Sequence, residues 1–445
     1  MSFITVQNNQ FLKDGKPWAP KGVGYQPNDN VDPLADGTPA ELIKKLLDPA
    51  TKYGLANLNI NAIRVYHVDY SKSHDDAMKA LKDAGIYVLV GCVNDATAIP
   101  GDATSPPART IQQVKNVADA FSGYDNVMGY SISNELISAT DYTNYKLCSV
   151  VKEVKQQMLA YMNDQGYRRI PIGCASRDWP PTTYQTCAAY TCGAADDRMD
   201  FVGYNSYRWV VPAGEPIPNG SLQVYHQLYE QFLEYPVPVL FAECGAACSG
   251  GREWTQIPYI FGVKKVNPVN EPAVSMPDSI SGCFAFKYYN KENGYGLVGP
   301  IGSDNPQPVN STYGGYTYLA AAYSDVTSFI GTPNGVSEVK CSSLPNNPYA
   351  GNGPPPAGQV SITVKNYADV DLKVVQNEQQ IASLPAGSET NPTSTPVKVD
   401  SAKELFILQP KGEQWSLVCK VAANTLTEGA TVADNVPWGE WCNVS

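Results

Sequence analysis

The chain has 445 residues, 43% of them hydrophobic, with a formal net charge of −11. A surface this acidic repels phosphate backbones, which excludes nucleic acid as an expected partner. No stretch of eighteen consecutive apolar residues occurs, so no membrane-spanning helix is expected, and the length suits one large α/β barrel with an appended module.

In chain order, short apolar runs alternate with helical patterns. APKGVGY (19–25) precedes ELIKKLLDPATKYG, AIRVYHV (62–68) precedes HDDAMKALKDAG, and IYVLVGC (86–92) precedes TIQQVKNVADAF. VMGYSI (127–132) leads into NYKLCSVVKEVKQQMLAYM, whose apolar residues recur at three and four. RIPIGC (169–174), DFVGYN (200–205), PVLFAEC (238–244) and SGCFAFKYY (281–289) follow, with LQVYHQLYEQFL helical before the seventh run. Eight nearly continuous apolar strands separated mostly by helices predict a closed parallel (β/α)8 TIM barrel, buried on both faces, over residues 1–341. A Pro/Gly/Asn-rich linker is expected over 342–358. Beyond it VSITVKNY, LKVVQ, PVKVD, ELFILQ and SLVCKV predict a small all-β, sandwich-like domain at 359–445.

Eleven cysteines without paired CxxC spacing favour disulfides in an oxidising compartment over zinc. Cys187/Cys192 and Cys244/Cys248 are the closest pairs, and Cys419 with Cys442 would close a bridge inside the C-terminal domain. Sequons at Asn219, Asn310 and Asn443 agree with a secreted glycoprotein. The N-terminus has no apolar signal core, so a secreted form would be the mature chain. The tail, WCNVS, carries no hydrophobic segment, so a lipid-anchor signal is absent or removed.

Chemistry is expected at the carboxyl ends of barrel strands. Asn134-Glu135 ends the fourth strand and Glu243 ends the seventh. Two carboxylates flanking one bond are what glycoside cleavage requires, one as proton donor and one facing the developing oxocarbenium carbon. Glu135 is read as acid/base, Glu243 as nucleophile and Asn134 as a donor to the sugar 2-hydroxyl; retention requires the carboxyl groups about 5–5.5 Å apart. His67, His74 and Asp69 form no convincing triad or metal set, so no metal and no cofactor are expected. Trp179, Trp209, Trp415, Trp438 and Trp441 are candidate sugar platforms or core residues.

Between about residues 17 and 341 the sequence resembles the fungal β-1,3-glucanosyltransferases of glycoside hydrolase family 72, wall-remodelling enzymes usually held by a lipid anchor. The resemblance rests on GVGYQPN (22–28), NAIRVYHVD (61–69), DNVMGYSISNE (125–135), YTCGAADDRMDFVGYNSYRW (190–209), VPVLFAECG (237–245) and NGYGLV (293–298). It implies that Glu135 and Glu243 are the catalytic pair and that Tyr25, Gln26, Tyr66, Asn134 and Tyr207 line the donor sugar site. It further implies that Arg64 and Tyr207 hold the nucleophile, that Tyr288 or Phe286 forms an aromatic platform, and that Cys192 pairs with Cys341. The chain departs from the family at Gly91, where an acidic residue usually stands and for which Asp95 could substitute. An early disulfide is also missing.

The expected function is a retaining β-1,3-glucanosyltransferase that cleaves one glucan and passes its new reducing end to another. A hydrolase on the same scaffold and a non-catalytic glucan-binding protein are the alternatives. A monomer is expected, secreted or held at the cell surface, with β-1,3-glucan as its partner.

Overall fold

The computed structural model describes residues 2–29, 31–137, 145–178, 183–246, 251–291, 293–309, 315–329, 331 and 337–341. Beyond these it describes strand segments 359–366, 372–376, 379–385, 393–400, 405–411, 414–421, 431–433 and 443–444. Eight parallel strands close into a barrel in the order β4 (Lys21–Gly24), β5 (Ala62–Val65), β6 (Tyr87–Gly91), β7 (Val127–Asn134), β8 (Ile172–Arg177), β9 (Phe201–Ser206), β10 (Val239–Cys244) and β11 (Cys283–Ala285). Each is one of the apolar runs named above. The crossover helices are α1 (Thr38–Leu46), α2 (Asp75–Asp83), α3 (Ala108–Phe121), α4 (Lys146–Asp164), α5 (Thr183–Thr191) and α6 (Asn219–Phe232). Helix α1 ends earlier than the apolar pattern of residues 41–54, because Pro49 cannot continue an α-helical ladder. Short α7 (Ile257–Ile260) and α8 (Tyr316–Ser324) complete the outer layer.

Large side chains fill the barrel where small ones leave room. A Cβ on Gly22 would stand 2.3 Å from the Phe284 ring, and one on Gly173 would stand 2.6 Å from that of Phe201. The glycines thus admit two phenyl rings into an interior that tolerates little overpacking. Three further strands were not anticipated: β1 (Ile4–Gln7), β2 (Gln10–Lys13) and β3 (Lys16–Trp18) form an antiparallel sheet. Its Ile4 and Phe11 join Ala62, Tyr87 and Phe201 in one buried cluster, and Tyr87 Oη donates to the Ser2 carbonyl at 2.6 Å. Ala62, Tyr87 and Phe201 begin their strands, so this sheet closes the amino-terminal end of the barrel and leaves the carboxyl end as the open one.

Beyond the barrel, eight strands form two four-stranded sheets, with Val364, Val374, Val397 and Ile407 buried. The expected linker 342–358 lies outside the described residues, as do Cys442, Trp179, Trp438, Trp441 and Asn310. The side chains of Cys419, Trp415 and Asn443 are likewise not described, so the Cys419–Cys442 pairing is not observed.

The cysteine reading needs correction. Cys192 and Cys341 are bridged, with Cα atoms 5.0 Å apart. Cys92, Cys148, Cys174, Cys187, Cys244 and Cys283 are instead buried free thiols. They fill the layer between strands and helices as small apolar side chains, which accounts for their number without a disulfide framework. Cys187 does not pair with Cys192. The Asn219 sequon is also structural, since that side chain is buried and its Oδ1 accepts from the Val269 amide at 2.8 Å.

Candidate active site

The carboxyl ends of β4 to β7, β10 and β11 surround a cleft of about 940 Å³, and both Glu135 and Glu243 line it. Beneath them lies one connected polar network. Arg64, in β5, is 2% exposed and reaches across to residues of β7, β9 and β10. Its Nη1 donates to the Ala242 carbonyl at 2.8 Å and to Glu243 Oε1 at 3.2 Å, and its Nη2 to Asn134 Oδ1 at 2.7 Å. Asn205, the penultimate residue of β9, donates from Nδ2 to Asn134 Oδ1 at 3.2 Å and to Glu135 Oε1 at 2.7 Å. Its own Oδ1 accepts from Arg64 at 3.4 Å. A buried guanidinium and a single amide therefore tie both carboxylates into one array.

Glu243 is 7% exposed. Burial pushes its carboxyl above the usual range, opposed by Arg64 and by the Tyr207 hydroxyl, which donates to Oε2 at 2.7 Å; Glu135 adds a smaller upward push. Tyr66 Oη closes on the same carboxylate without completing a well-formed hydrogen bond. Tyr207 and Tyr66 are themselves held protonated by burial, so they face Glu243 as neutral phenols.

Glu135 follows β7 with φ of 50°, in the left-handed region that non-glycine residues seldom occupy. Its amide donates to the Ala175 carbonyl at 2.9 Å, which anchors the turn. Arg177, at the end of β8, donates from Nε and Nη2 to Oε2 at 3.1 and 2.9 Å. Asp178 next to it is gripped by Arg208, Ser206 and Thr183, so Arg177 stands on a fixed base.

The sequence-based site residues divide. Asn134 sits between the carboxylates; its Oδ1 is used by Arg64 and Asn205, while its Nδ2 has no partner among the described residues. Gln26 lines the cleft, but its amide is spent on backbone, accepting from Tyr66 N at 3.1 Å and donating to the Asn28 and Val31 carbonyls at 3.0 and 3.1 Å. It shapes the first loop. Tyr25 and Tyr288 do not reach the cleft: both are fully buried, packed against one another with ring centroids 6.0 Å apart, and Tyr288 Oη donates to the Tyr53 carbonyl. An aromatic at a strand tip can turn into the helix layer as readily as toward the mouth. Of the two aromatic candidates after the eighth strand, Phe286 is the one on the cleft wall.

His74 is buried against Asp32, whose carboxylate also accepts from the amides of Leu34 and Asp69, so the pair clasps two loops together. Trp209 is core, packed on Tyr225 and Tyr259. A Cβ on Gly91 would meet the Tyr66 carbonyl at 1.9 Å, so this backbone admits no acidic side chain there, whereas Asp95 does line the cleft. Arg177 and Asn205 escaped the sequence reading. The signal for Asn205 was an amide at a strand tip, the same one that marked Asn134.

A closed parallel barrel with two glutamates facing one cleft at its carboxyl rim has the framework of a glycoside-processing barrel. The chain belongs to the glucanosyltransferase family, glycoside hydrolase family 72, whose model matches residues 1–326. It is 30% identical over 328 residues to the 1,3-beta-glucanosyltransferase gas1 of Schizosaccharomyces pombe, covering 71% of this chain and 54% of that protein. It is 31% identical over 304 residues to GAS5 of Saccharomyces cerevisiae, covering 66% and 57%. The chain thus spans just over half the length of these curated relatives. Among solved structures, a glutamate-to-glutamine variant of Saccharomyces cerevisiae Gas2 in complex with laminaritetraose and laminaripentaose is similar. Its TM-score is 0.63 at 26% identity, over 76% of this chain and 71% of that one.

Proposed function

We propose that the protein is a retaining β-1,3-glucanosyltransferase acting on wall glucan outside the cell. The observation that carries this reading is the shared network of Arg64 and Asn205, which presents Glu135 and Glu243 to one cleft in two different electrostatic settings. Family membership and the laminari-oligosaccharides bound by Gas2 support β-1,3-glucan as the substrate class.

In the first step a Glu243 oxygen attacks the anomeric carbon. The C1–O bond breaks with its electron pair going to the departing oxygen, which takes a proton from Glu135. Attack converts the Glu243 carboxylate to a neutral ester, so the burial that penalises its charge favours the intermediate. Arg64 and Tyr207 offset that penalty in the free enzyme and fix the rotamer. Asn134 Nδ2 donates to the 2-hydroxyl as positive charge develops. In the second step the 3-hydroxyl of another glucan gives its proton to Glu135 and displaces Glu243, which elongates the acceptor. Transfer exceeds hydrolysis when an acceptor sugar is held at the anomeric carbon more effectively than water.

The test is product analysis with a short reduced or end-labelled laminari-oligosaccharide. Products longer than the substrate are expected, and Glu135→Gln and Glu243→Gln are expected to abolish them while the protein stays folded. Only shorter products would replace transfer by hydrolysis. Oligosaccharide bound but left intact by the unmutated protein would leave a binding protein.

A further inference from the structure

Lys287 follows β11 and lines the same cleft, with 9% of its surface exposed. The other two lysines on the wall are paired: Lys291 with Asp29, and Lys72 with Asp69 at 3.5 Å. Lys287 Nζ makes no hydrogen bond or ion pair with any described residue; its one polar contact is with the Phe286 ring, whose centroid is 4.9 Å away. The stem is buried while the ammonium is not sealed from solvent, so its three donors open onto the cleft unclaimed by protein. Phe286 in turn packs edge-on against Tyr207, ring centroids 6.1 Å apart, and Tyr207 holds Glu243. These open donors therefore stand one ring away from the buried glutamate, on the wall a bound sugar would touch.

We propose that Lys287 is a substrate-binding residue whose ammonium donates to hydroxyl oxygens of the glucosyl unit lying against Phe286 beside Glu243. This rests on the reading that the cleft takes a glucan, and it adds a specificity-determining contact to that reading. A neutral glucan meets the need because its hydroxyls are acceptors arrayed around a ring whose C–H face can rest on Phe286. The charged and titratable groups around Lys287 are Lys291 and Asp29 from the loops, Glu243 from β10, and Tyr66, which together with the Lys287 Cβ closes over Gly24. Burial, with help from Lys291, brings the ammonium down to about 8, so this contact is lost in the mildly alkaline range.

The test compares the unmutated chain, Lys287→Met and Lys287→Gln with laminari-oligosaccharides between pH 6 and 9. Lys287→Met removes the donors, keeps the buried stem, and discards a charge that no protein group pairs, so its Tm should equal or exceed that of the unmutated protein. A charge-assisted hydrogen bond predicts that KM rises roughly tenfold or more in Lys287→Met, with kcat changed less, and that Lys287→Gln recovers part of the loss. Glu135 as proton donor gives both proteins an alkaline decline, so the Lys287 contribution is read as their ratio: kcat/KM of the unmutated enzyme relative to Lys287→Met should shrink above about pH 8. A KM within twofold of the unmutated value, or a ratio of the two kcat/KM values that stays constant from pH 6 to 9, would overturn the assignment. An unmutated enzyme that neither binds nor processes laminari-oligosaccharides would overturn the glucan reading, and this proposal with it.

Discussion

Glu135 and Glu243 share a cleft and a network but not an environment. Glu243 is nearly sealed, with its carboxylate divided between Arg64 and Tyr207, and its proton affinity is raised by burial. Glu135 has a quarter of its side chain exposed, on a left-handed turn, with Asn205 on one oxygen and Arg177 on the other. A sealed carboxylate suits bond formation to carbon, because it attacks without shedding a hydration shell and ends neutral. A carboxylate at the edge of the cleft suits proton exchange, because it gives its proton to the departing oxygen in one half-reaction and takes one from the incoming hydroxyl in the next. One scaffold separates the two tasks by depth.

The largest expected effects test this division directly. Replacing either glutamate by glutamine should lower turnover of natural glucan by roughly two to four orders of magnitude or more. An aryl laminarioside, whose leaving group needs no proton, should separate them: Glu135→Gln should release a burst of phenol and stall as a glycosyl-enzyme, while Glu243→Gln should release none. A burst from Glu243→Gln alone would reverse the assignments. Next in size is Arg64→Met. It leaves Glu243 buried without its cation, and breaking one partner of such a pair costs roughly 3–5 kcal/mol. Urea denaturation should show that loss, and a loss below about 1 kcal/mol would mean that water reaches Glu243 freely.

Much of this was visible in the chain itself, for identifiable reasons. Eight strands buried on both faces leave runs such as VLFAEC and VMGYSI with no polar interruption until the tip, so a glutamate there stands out. The amino-terminal sheet was missed because its strands are three or four residues long. Its cues were nonetheless present: Asn8 and Asp14-Gly15 adopt positive φ at the two turns, and Ile4, Phe11 and Trp18 are the inward residues. The side to which a tip aromatic turns cannot be read from spacing, which is why Tyr25 and Tyr288 were placed at the cleft and lie behind it. Arg177 reaches Glu135 from the adjacent strand, and Asn205 reaches it from two strands away. No local pattern links residue 177 to residue 135.

A sharper probe is Tyr207→Phe, which keeps the ring against Phe286 and removes only the donor to Glu243 Oε2. That hydrogen bond holds the Glu243 carboxyl down against the upward push of burial. Without it the proton is held to higher pH. Glu243 must be ionised to attack, so the acidic limb of kcat/KM should move toward neutral pH, and kcat at its optimum should fall roughly tenfold or more for one lost hydrogen bond to a charged group. An acidic limb that stays in place or moves further into acid would show that the Tyr207 hydroxyl does not support the charged form.

The smallest effect should come from Arg177→Met, and its smallness is the point. The guanidinium is 43% exposed, and exposed pairs are worth about 0–1 kcal/mol, so stability should change little. Because both bonds converge on Glu135 Oε2, the loss falls on the orientation of that carboxylate while Asn205 still holds Oε1. Turnover should decline less than in Tyr207→Phe, and urea midpoints should stay near those of the unmutated protein. If Arg177→Met instead unfolded as readily as Arg64→Met, both carboxylates would depend on a cation for stability, and depth in the barrel would no longer distinguish them.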